Sequence, residues 1–439
     1  MPPQIDTVPS DTEMPAQAEV VVIGGGVIGV STALFLRQRG LSVVLCEKGQ
    51  IAGEQSSRNW GWVRTMGRDP AEIPLSLESQ RIWQGLERST GAETGFRQSG
   101  ILYLCDTERD VAKYEQWLEQ ARPYQIGSRL LSQAELAAKL PGLQRRFAGA
   151  LYTESDGRAE PMKAVPALAA AARREGVTIL APCAVRGVET TGGRLSAVVT
   201  ERGAIRCGSA VLAGGAWSRL FCGNLGIDLP QLKILGSVLR TQPIEGLPEL
   251  AAGASDFAFR RRFDGGYNIA HRGASVAEIV PDTFRQFFEF LPALRAQWGT
   301  MRLRLGRRFV EEWRIRRRWA MDEVTPFEEV RMLDPEPDAH ILDEAMRNLR
   351  RALPGFAAAK VAGSWGGLID ATPDAVPIMD QTAQIPGLFV ATGFSGHGFG
   401  IGPGAGRLMA DLVTGRDPVV DATPFRLNRF RRDARRAAA

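Results

Sequence analysis

Apolar and polar positions recur with different periods along the 439-residue chain, and the periods predict its elements. Residues 19–23 form a short apolar run, Val-Val-Val-Ile in its core, that reads as a buried strand. Gly24-Gly25-Gly26 breaks the run, and a helix follows over residues 27–39 until Gly40 stops it. Residues 41–46 read as a second strand, ending at Glu47. Strand, glycine turn, helix and strand within about 30 residues predict a βαβ unit, which requires a parallel sheet. Residues 72–150 read as mostly helical. An Ala-rich helix at 162–175 runs into a strand at 177–180, and 184–213 alternates as a β-meander before returning to the first sheet. Residues 230–280 are strand-like and predict a second sheet. Residues 361–370 and 388–392 read as strands, followed by a Gly-rich loop and a last helix from about 404 to 414. No internal repeat is present.

The fold class expected is α/β plus α+β: a Rossmann-type domain and a second domain built on a mostly antiparallel sheet. The first is expected from residues 19–80, 150–228 and 361–430, the second from 81–149 and 229–360. Residues 1–18 are polar and Pro-rich without a basic start or apolar stretch, and are expected as a disordered leader.

Composition narrows the function classes. The five cysteines are scattered without a CxxC, and only three histidines occur, so neither a disulfide framework nor a zinc site is expected and a reducing, cytoplasmic setting fits. A net charge of +5 is too small to imply nucleic acid. No apolar run reaches the ~18 residues that span a bilayer. The 48 glycines fall in clusters, at 24–29, 214–215 and 393–406, a distribution that points to backbone approaching a ligand.

The first cluster satisfies G-x-G-x-x-G. Gly24 permits the tight turn, Gly26 lets a pyrophosphate touch the backbone, and Gly29 lets helix and strand pack closely. The helix N-terminus then favours the phosphates. Glu47 stands where a carboxylate accepts hydrogen bonds from ribose hydroxyls, and its charge argues against a 2′-phosphate. A second glycine-lined helix start, with Gly393, Gly396 and Gly398, follows the strand at 388–392. Such a dipole stabilises negative charge on a reduced flavin, and this favours FAD over NAD.

Residues 20–47, the stretch Val211 to Ser218 and the C-terminal Gly-rich block resemble the D-amino-acid oxidase superfamily of flavoproteins, which includes glycine and sarcosine oxidases. Ala52 to Arg58, Cys183 to Glu189, Gly214 to Asp228, Thr325 to Glu328 and Thr423 to Phe425 resemble one branch, the bacterial L-amino-acid deaminases. The resemblance implies non-covalent FAD held also by Ser56, Ser57, Arg58, Val185, Gly214 and Trp217. It implies oxidation of an amino-acid C–N bond to a 2-oxo acid and ammonia, with electrons passed to a quinone-type acceptor. A secondary amine or a D-amino acid as substrate, and a non-catalytic flavin-binding subunit, stay open. Two departures matter: no segment here matches the deaminases' transmembrane anchor, and the 393–400 block looks more like sarcosine oxidase.

An amino-acid carboxylate is best oriented by an Arg fork. The candidate is Arg272, which shares a strand face with Asn268 and Ala270. By resemblance that strand crosses over the flavin. A surface Arg is the other reading. Asn268 stands where sarcosine oxidases carry the Lys that activates oxygen, which favours a dehydrogenase. The Cys to which those oxidases attach flavin would fall near Gly367, and the first His is His271, so no covalent link is expected. Arg64 is a second candidate anion contact or a solvated loop Arg. His397 is a candidate cofactor or substrate contact or a structural loop His. Trp60, Trp62, Trp365 and Phe394 are either pocket walls or core.

Residues 282–324 stand apart as a basic amphipathic insert. Between Arg302 and Arg318 lie eight arginines and two acids, interleaved with Phe, Leu, Trp and Ile. That composition fits either a peripheral contact with an anionic inner-membrane surface or a solvated cover over the substrate domain.

Overall fold

The computed structural model describes residues 3–296 and 301–430. Among these, two large sheets dominate. The first has six strands in the order Ile378–Gln381, Leu388–Thr392, Ser209–Leu212, Val20–Ile23, Val43–Cys46, Thr178–Leu180. All neighbours run parallel except the first pair. Val20 and Val22 pack under the helices Val27–Gln38, Pro161–Arg174 and Gly398–Thr414, while Val21 and Ile23 pack under the antiparallel meander of residues 185–206. Both faces of this strand are covered, which is why it is apolar without alternation.

The C-terminal helix Gly398–Thr414 starts earlier than the sequence pattern predicts and lies against Val27–Gln38. A Cβ on Gly402 would stand 2.7 Å from Val27 Cγ2, and one on Gly406 2.4 Å from Ser31 Cβ. The later glycines of the 393–406 cluster therefore serve close helix packing rather than a ligand.

The second sheet has ten strands and is mostly antiparallel. Leu232–Thr241 is its spine, paired along its length with Val361–Ala371 and at its two ends with Tyr267–Ala270 and Ser275–Glu278. Residues 72–150, expected as mostly helical, contribute Ile101–Cys105, Arg129–Leu131 and Gly149–Thr153 to it. Leu102, Leu104, Leu131 and Ala150 feed one core on this sheet and Ile101, Tyr103, Cys105 and Leu151 another, so strands covered on both faces lose the alternation that betrays a strand. Val361–Ala371, expected in the nucleotide domain, likewise pairs into this sheet along Leu232–Thr241.

The leader departs from expectation too. Residues 3–18 run extended along the first domain, where Asp6 N donates to Met162 O at 3.1 Å and Asp11 pairs with Arg173 at 2.6 Å. Ile5 and Val8 pack onto the helix core, and Met14 and Ala18 onto the meander core. A polar segment is ordered here by borrowed backbone partners, which its own composition does not reveal. Residues 1 and 2 lie outside the described residues, as do 297–300 of the basic insert. The rest of that insert forms the helices Pro281–Arg285, Phe287–Ala296 and Arg307–Arg314, and the strand Met301–Arg304 pairs parallel with Ser275–Glu278. Its final Trp319 is buried and donates to Arg186 O, so it anchors the insert.

Candidate active site

Two cavities meet between the sheets. The first, about 160 Å³, follows the carboxyl ends of Val20–Ile23, Val43–Cys46 and Ser209–Leu212, where the strand order reverses. That is the switch point at which open parallel sheets bind ligands. Gly24 takes φ +112°, and a Cβ there would stand 2.4 Å from Ala213 O. Gly29 is buried under its own turn, with Gly24 O 1.9 Å from where a Cβ would sit. Gly26 caps the helix N-terminus without any side-chain partner of its own. Val27 N donates to Ser56 Oγ at 2.9 Å, so Ser56 also faces this turn.

Glu47 is anchored by Gly25 N at 2.7 Å and Gly49 N at 2.8 Å. Burial raises its pKa, and Lys48 and those two N–H groups oppose the rise. Val185, Gly214, Trp217, Gly396 and Gly398 line the same cavity. Trp217 Nε1 donates to Glu54 at 3.0 Å, and Lys48 Nζ lies 4.7 Å from the Trp217 ring centroid. Lys48 and Glu54 had no sequence signal. Ser57 and Gly393 do not line it: Ser57 is buried and donates to Glu54 O, and Gly393 N donates to Asp370 Oδ2 at 2.7 Å.

The second cavity, about 570 Å³, shares Gln55, Asn59, Gly396 and Phe399 with the first. The structure brings Arg64, Arg272 and His397 together there, although they are up to 333 residues apart. Arg272 is half-buried against aromatic rings, with its Cζ 3.7 Å from the Tyr103 centroid and Nη2 donating to Tyr114 Oη at 2.9 Å. Burial lowers its pKa, but Tyr103 and Tyr114 more than offset this and the net direction is up. Arg64 lies over the same ring at 5.6 Å and donates to Met66 O at 2.5 Å. His397 Nδ1 sits 3.1 Å from Glu72 Oε2. Burial holds the imidazole below its usual range against the opposing pull of Glu72. Trp60 and Trp62 line this cavity; Phe394 lines the first, and Trp365 lines neither.

Arg58 lines the second cavity, but it is tied to Asp334 at 2.6 Å and to Gly366 O at 2.9 Å. Arg68, Tyr103, Tyr114 and Glu72 escaped the sequence reading, because nothing local distinguishes them from ordinary core and loop residues. Asp370 also escaped it: its buried carboxylate pins the 392–394 backbone by accepting from Gly393 N and Phe394 N.

These features define a nucleotide-binding α/β sheet joined to a mostly antiparallel one. A cradle too tight for any Cβ meets a helix N-terminus and a ribose-facing acid, and Gln55 Oε1 and Ser218 Oγ remain buried without a partner beside it. Such a donor and acceptor set fits a dinucleotide, and the chain belongs to the FAD dependent oxidoreductase family, whose model matches residues 19–412. It is therefore an FAD-dependent oxidoreductase. Its fold is similar to that of L-amino acid deaminase from Proteus myxofaciens solved with anthranilate, with a TM-score of 0.95, 33% identity and 98% of each chain covered. In sequence it is 24% identical to the sarcosine oxidase subunit beta of Rhodobacter capsulatus, over 94% of this chain and 88% of that one. It is 27% identical to the glycine oxidase of Pseudomonas aeruginosa, over 92% and 97%.

Proposed function

We propose that the protein oxidises the Cα–N bond of an amino acid. A hydride leaves Cα, the nitrogen loses a proton, and water hydrolyses the imino acid to a 2-oxo acid and ammonia. The observation that carries this reading is Arg272, a guanidinium without an ion pair among the described residues, held at the cavity that meets the nucleotide cleft. Bound FAD supplies the two-electron acceptor. The chain's own residues do the rest. Arg272 offers two parallel donors to the substrate carboxylate and so orients Cα. The positive lining disfavours an ammonium, so the amine enters neutral and needs no protein base. Trp60, Trp62 and Phe399 wall the cavity against water. Attachment of FAD is non-covalent in this reading: no cysteine lines the second cavity, and its two histidines face Glu344 and Glu72.

The proposed electron acceptor is a quinone-type carrier at an anionic membrane surface. Asn268 supports it, being buried and hydrogen-bonded to Arg262 at 3.0 Å in the place of an oxygen-activating lysine. The insert supports it as well: Phe284, Phe288, Leu305 and Trp313 are 65–69% exposed among arginines. No helix among the described residues is long and apolar enough to cross a membrane, so the contact proposed is peripheral. Anaerobic mixing with an amino-acid panel of both hands tests the reaction, because a substrate bleaches the flavin spectrum. A short-chain quinone or phenolic dye should then reoxidise the enzyme much faster than O₂. Rapid stoichiometric peroxide would remove the quinone part, and bleaching by no amino acid would remove the whole reading.

A further inference from the structure

The lining of the second cavity carries more positive charge than one amino-acid carboxylate requires. Arg58, Arg64, Arg68, Arg272 and Lys113 all line it, and no Asp or Glu does. Arg58 is neutralised by Asp334, and two buried carboxylates lie in the field of Arg64 and Arg68: Glu72, which faces His397, and Asp156 behind the Thr65–Met66 backbone. Arg64, Arg68 and Arg272 have no ion pair among the described residues.

Arg68 makes the imbalance acute. It is 2% exposed, its Nε donates to Arg64 O at 3.3 Å, and its Nη1 has no partner. Burial and then the charge of Arg64 push its pKa down to about 10. A buried cation short of opposing charge is costly, so a site retains one where a ligand supplies that charge. Glu72 and Asp156 offset two of the four charges on Arg64, Arg68, Arg272 and Lys113, and a substrate α-carboxylate on Arg272 offsets a third, so one cation remains. Arg64 and Arg272 lie against a single ring, Tyr103, at 5.6 and 3.7 Å from its centroid. Two guanidiniums held on one ring are within reach of the two ends of a short dicarboxylate. The helix Glu108–Ala121 sets Lys113, Gln116 and Gln120 at the same cavity, a polar lining suited to an anionic side chain.

We infer that the substrate is a dicarboxylic amino acid, with Arg272 taking the α-carboxylate and Arg64 the side-chain carboxylate. This rests on the amino-acid reading above. It also implies that lysine and arginine are excluded, because their side chains would enter an uncompensated positive field.

The test uses the FAD-loaded protein under anaerobic conditions, with glutamate and aspartate compared with glutamine, asparagine, leucine and phenylalanine of both hands. The acidic substrates should bleach the flavin at half-saturation concentrations at least about tenfold lower than their amides, the worth of one charge-assisted contact. Arg64→Met should bring the glutamate-to-glutamine ratio close to one, and Arg64→Lys should restore much of it. Arg272→Met should weaken both substrates together. Independently of turnover, glutarate should raise the melting temperature more than valerate, a difference that Arg64→Met should erase. Equal or better bleaching by the neutral amino acids, with no advantage of glutarate, would overturn the inference and leave the amino-acid reading standing. Bleaching by no amino acid would defeat both. If Arg64→Met does not fold, the wild-type glutamate-to-glutamine ratio still decides.

Discussion

The guanidinium of Arg272 sits over Tyr103 with its Cζ 3.7 Å from the ring centroid, while Tyr114 Oη accepts from its Nη2. The ring holds the cation without neutralising it, so the fork stays free for an anion. Arg272→Ala should therefore raise the substrate half-saturation concentration by roughly ten- to a hundredfold with FAD still bound. Titration of flavin bleaching checks this. An unchanged constant would move the carboxylate anchor to Arg64.

Gly26 faces Ser56, and a Cβ there would already stand 3.0 Å from Ser56 Oγ. A larger side chain would occupy the space meant for the pyrophosphate. Gly26→Val should purify colourless and folded, with FAD content near zero by absorbance. In the native protein, acid precipitation should release the flavin into the supernatant. Yellow precipitate would contradict the non-covalent attachment.

The exposed aromatics of the insert give the membrane proposal its sharpest handle. Arg317 pairs with Asp282 and Arg316 with Glu323, so reversing those charges would disturb the fold along with any docking. Phe288 and Trp313 are free of that difficulty, at 69% and 68% exposed. Replacing both with Ala removes about 1.5–3 kcal/mol of apolar burial per side chain if they insert. Sedimentation with anionic vesicles should fall more than tenfold while dye-linked activity is kept. Binding by the native protein should weaken as salt rises. A native protein that never binds vesicles would make the insert a cover for the substrate domain.

Asp156 lies beneath the Arg64 segment and accepts from Thr65 N, Met66 N and Gln80 Nε2. Burial pushes its pKa up from 3.8 to about 6, with the two backbone N–H groups opposing the rise. The folded protein thus holds this proton more tightly than the unfolded chain. Folding takes up a proton between about pH 4 and pH 6, and this group's contribution to stability falls as pH rises through that window. Asp156→Asn should remove that component, so its melting temperature, relative to the native protein, should rise from pH 4 to pH 6.5. Parallel curves would show that Asp156 keeps an ordinary pKa.

The nucleotide half was legible because its signal is contiguous. Gly24, Gly26, Gly29 and Glu47 sit within 24 residues, and each answers a local demand of backbone angle, close approach or charge. The strand ends at Ala270, so Arg272 lies beyond it and does not share a strand face with Asn268 and Ala270, which do not line its cavity. Arg272 was legible by resemblance alone. The three strands within residues 72–150 were not, because burial on both faces removed the alternation, and the same residues that look helical in isolation are set by their partners in the second sheet. Ser57 and Gly393, expected as cofactor contacts, do not line the nucleotide cavity; Ser57 Oγ donates to Glu54 O and Gly393 N to Asp370.

By itself, the sequence determined that a parallel sheet with a phosphate-binding turn opens the chain and that a nucleotide lies on it, because those features need only neighbours in the chain. The tertiary structure decided everything that depends on distant partners. It ordered the leader through Arg173 and Met162, turned part of the C-terminal glycine cluster into a helix contact, and gathered Arg64, Arg68, Tyr103, Tyr114, Arg272 and His397 around one cavity. Whether an arginine is paired depends on which carboxylates fold against it. No spacing along the chain records that Arg58 meets Asp334 while Arg64 and Arg272 lie on one tyrosine ring and form no ion pair among the described residues.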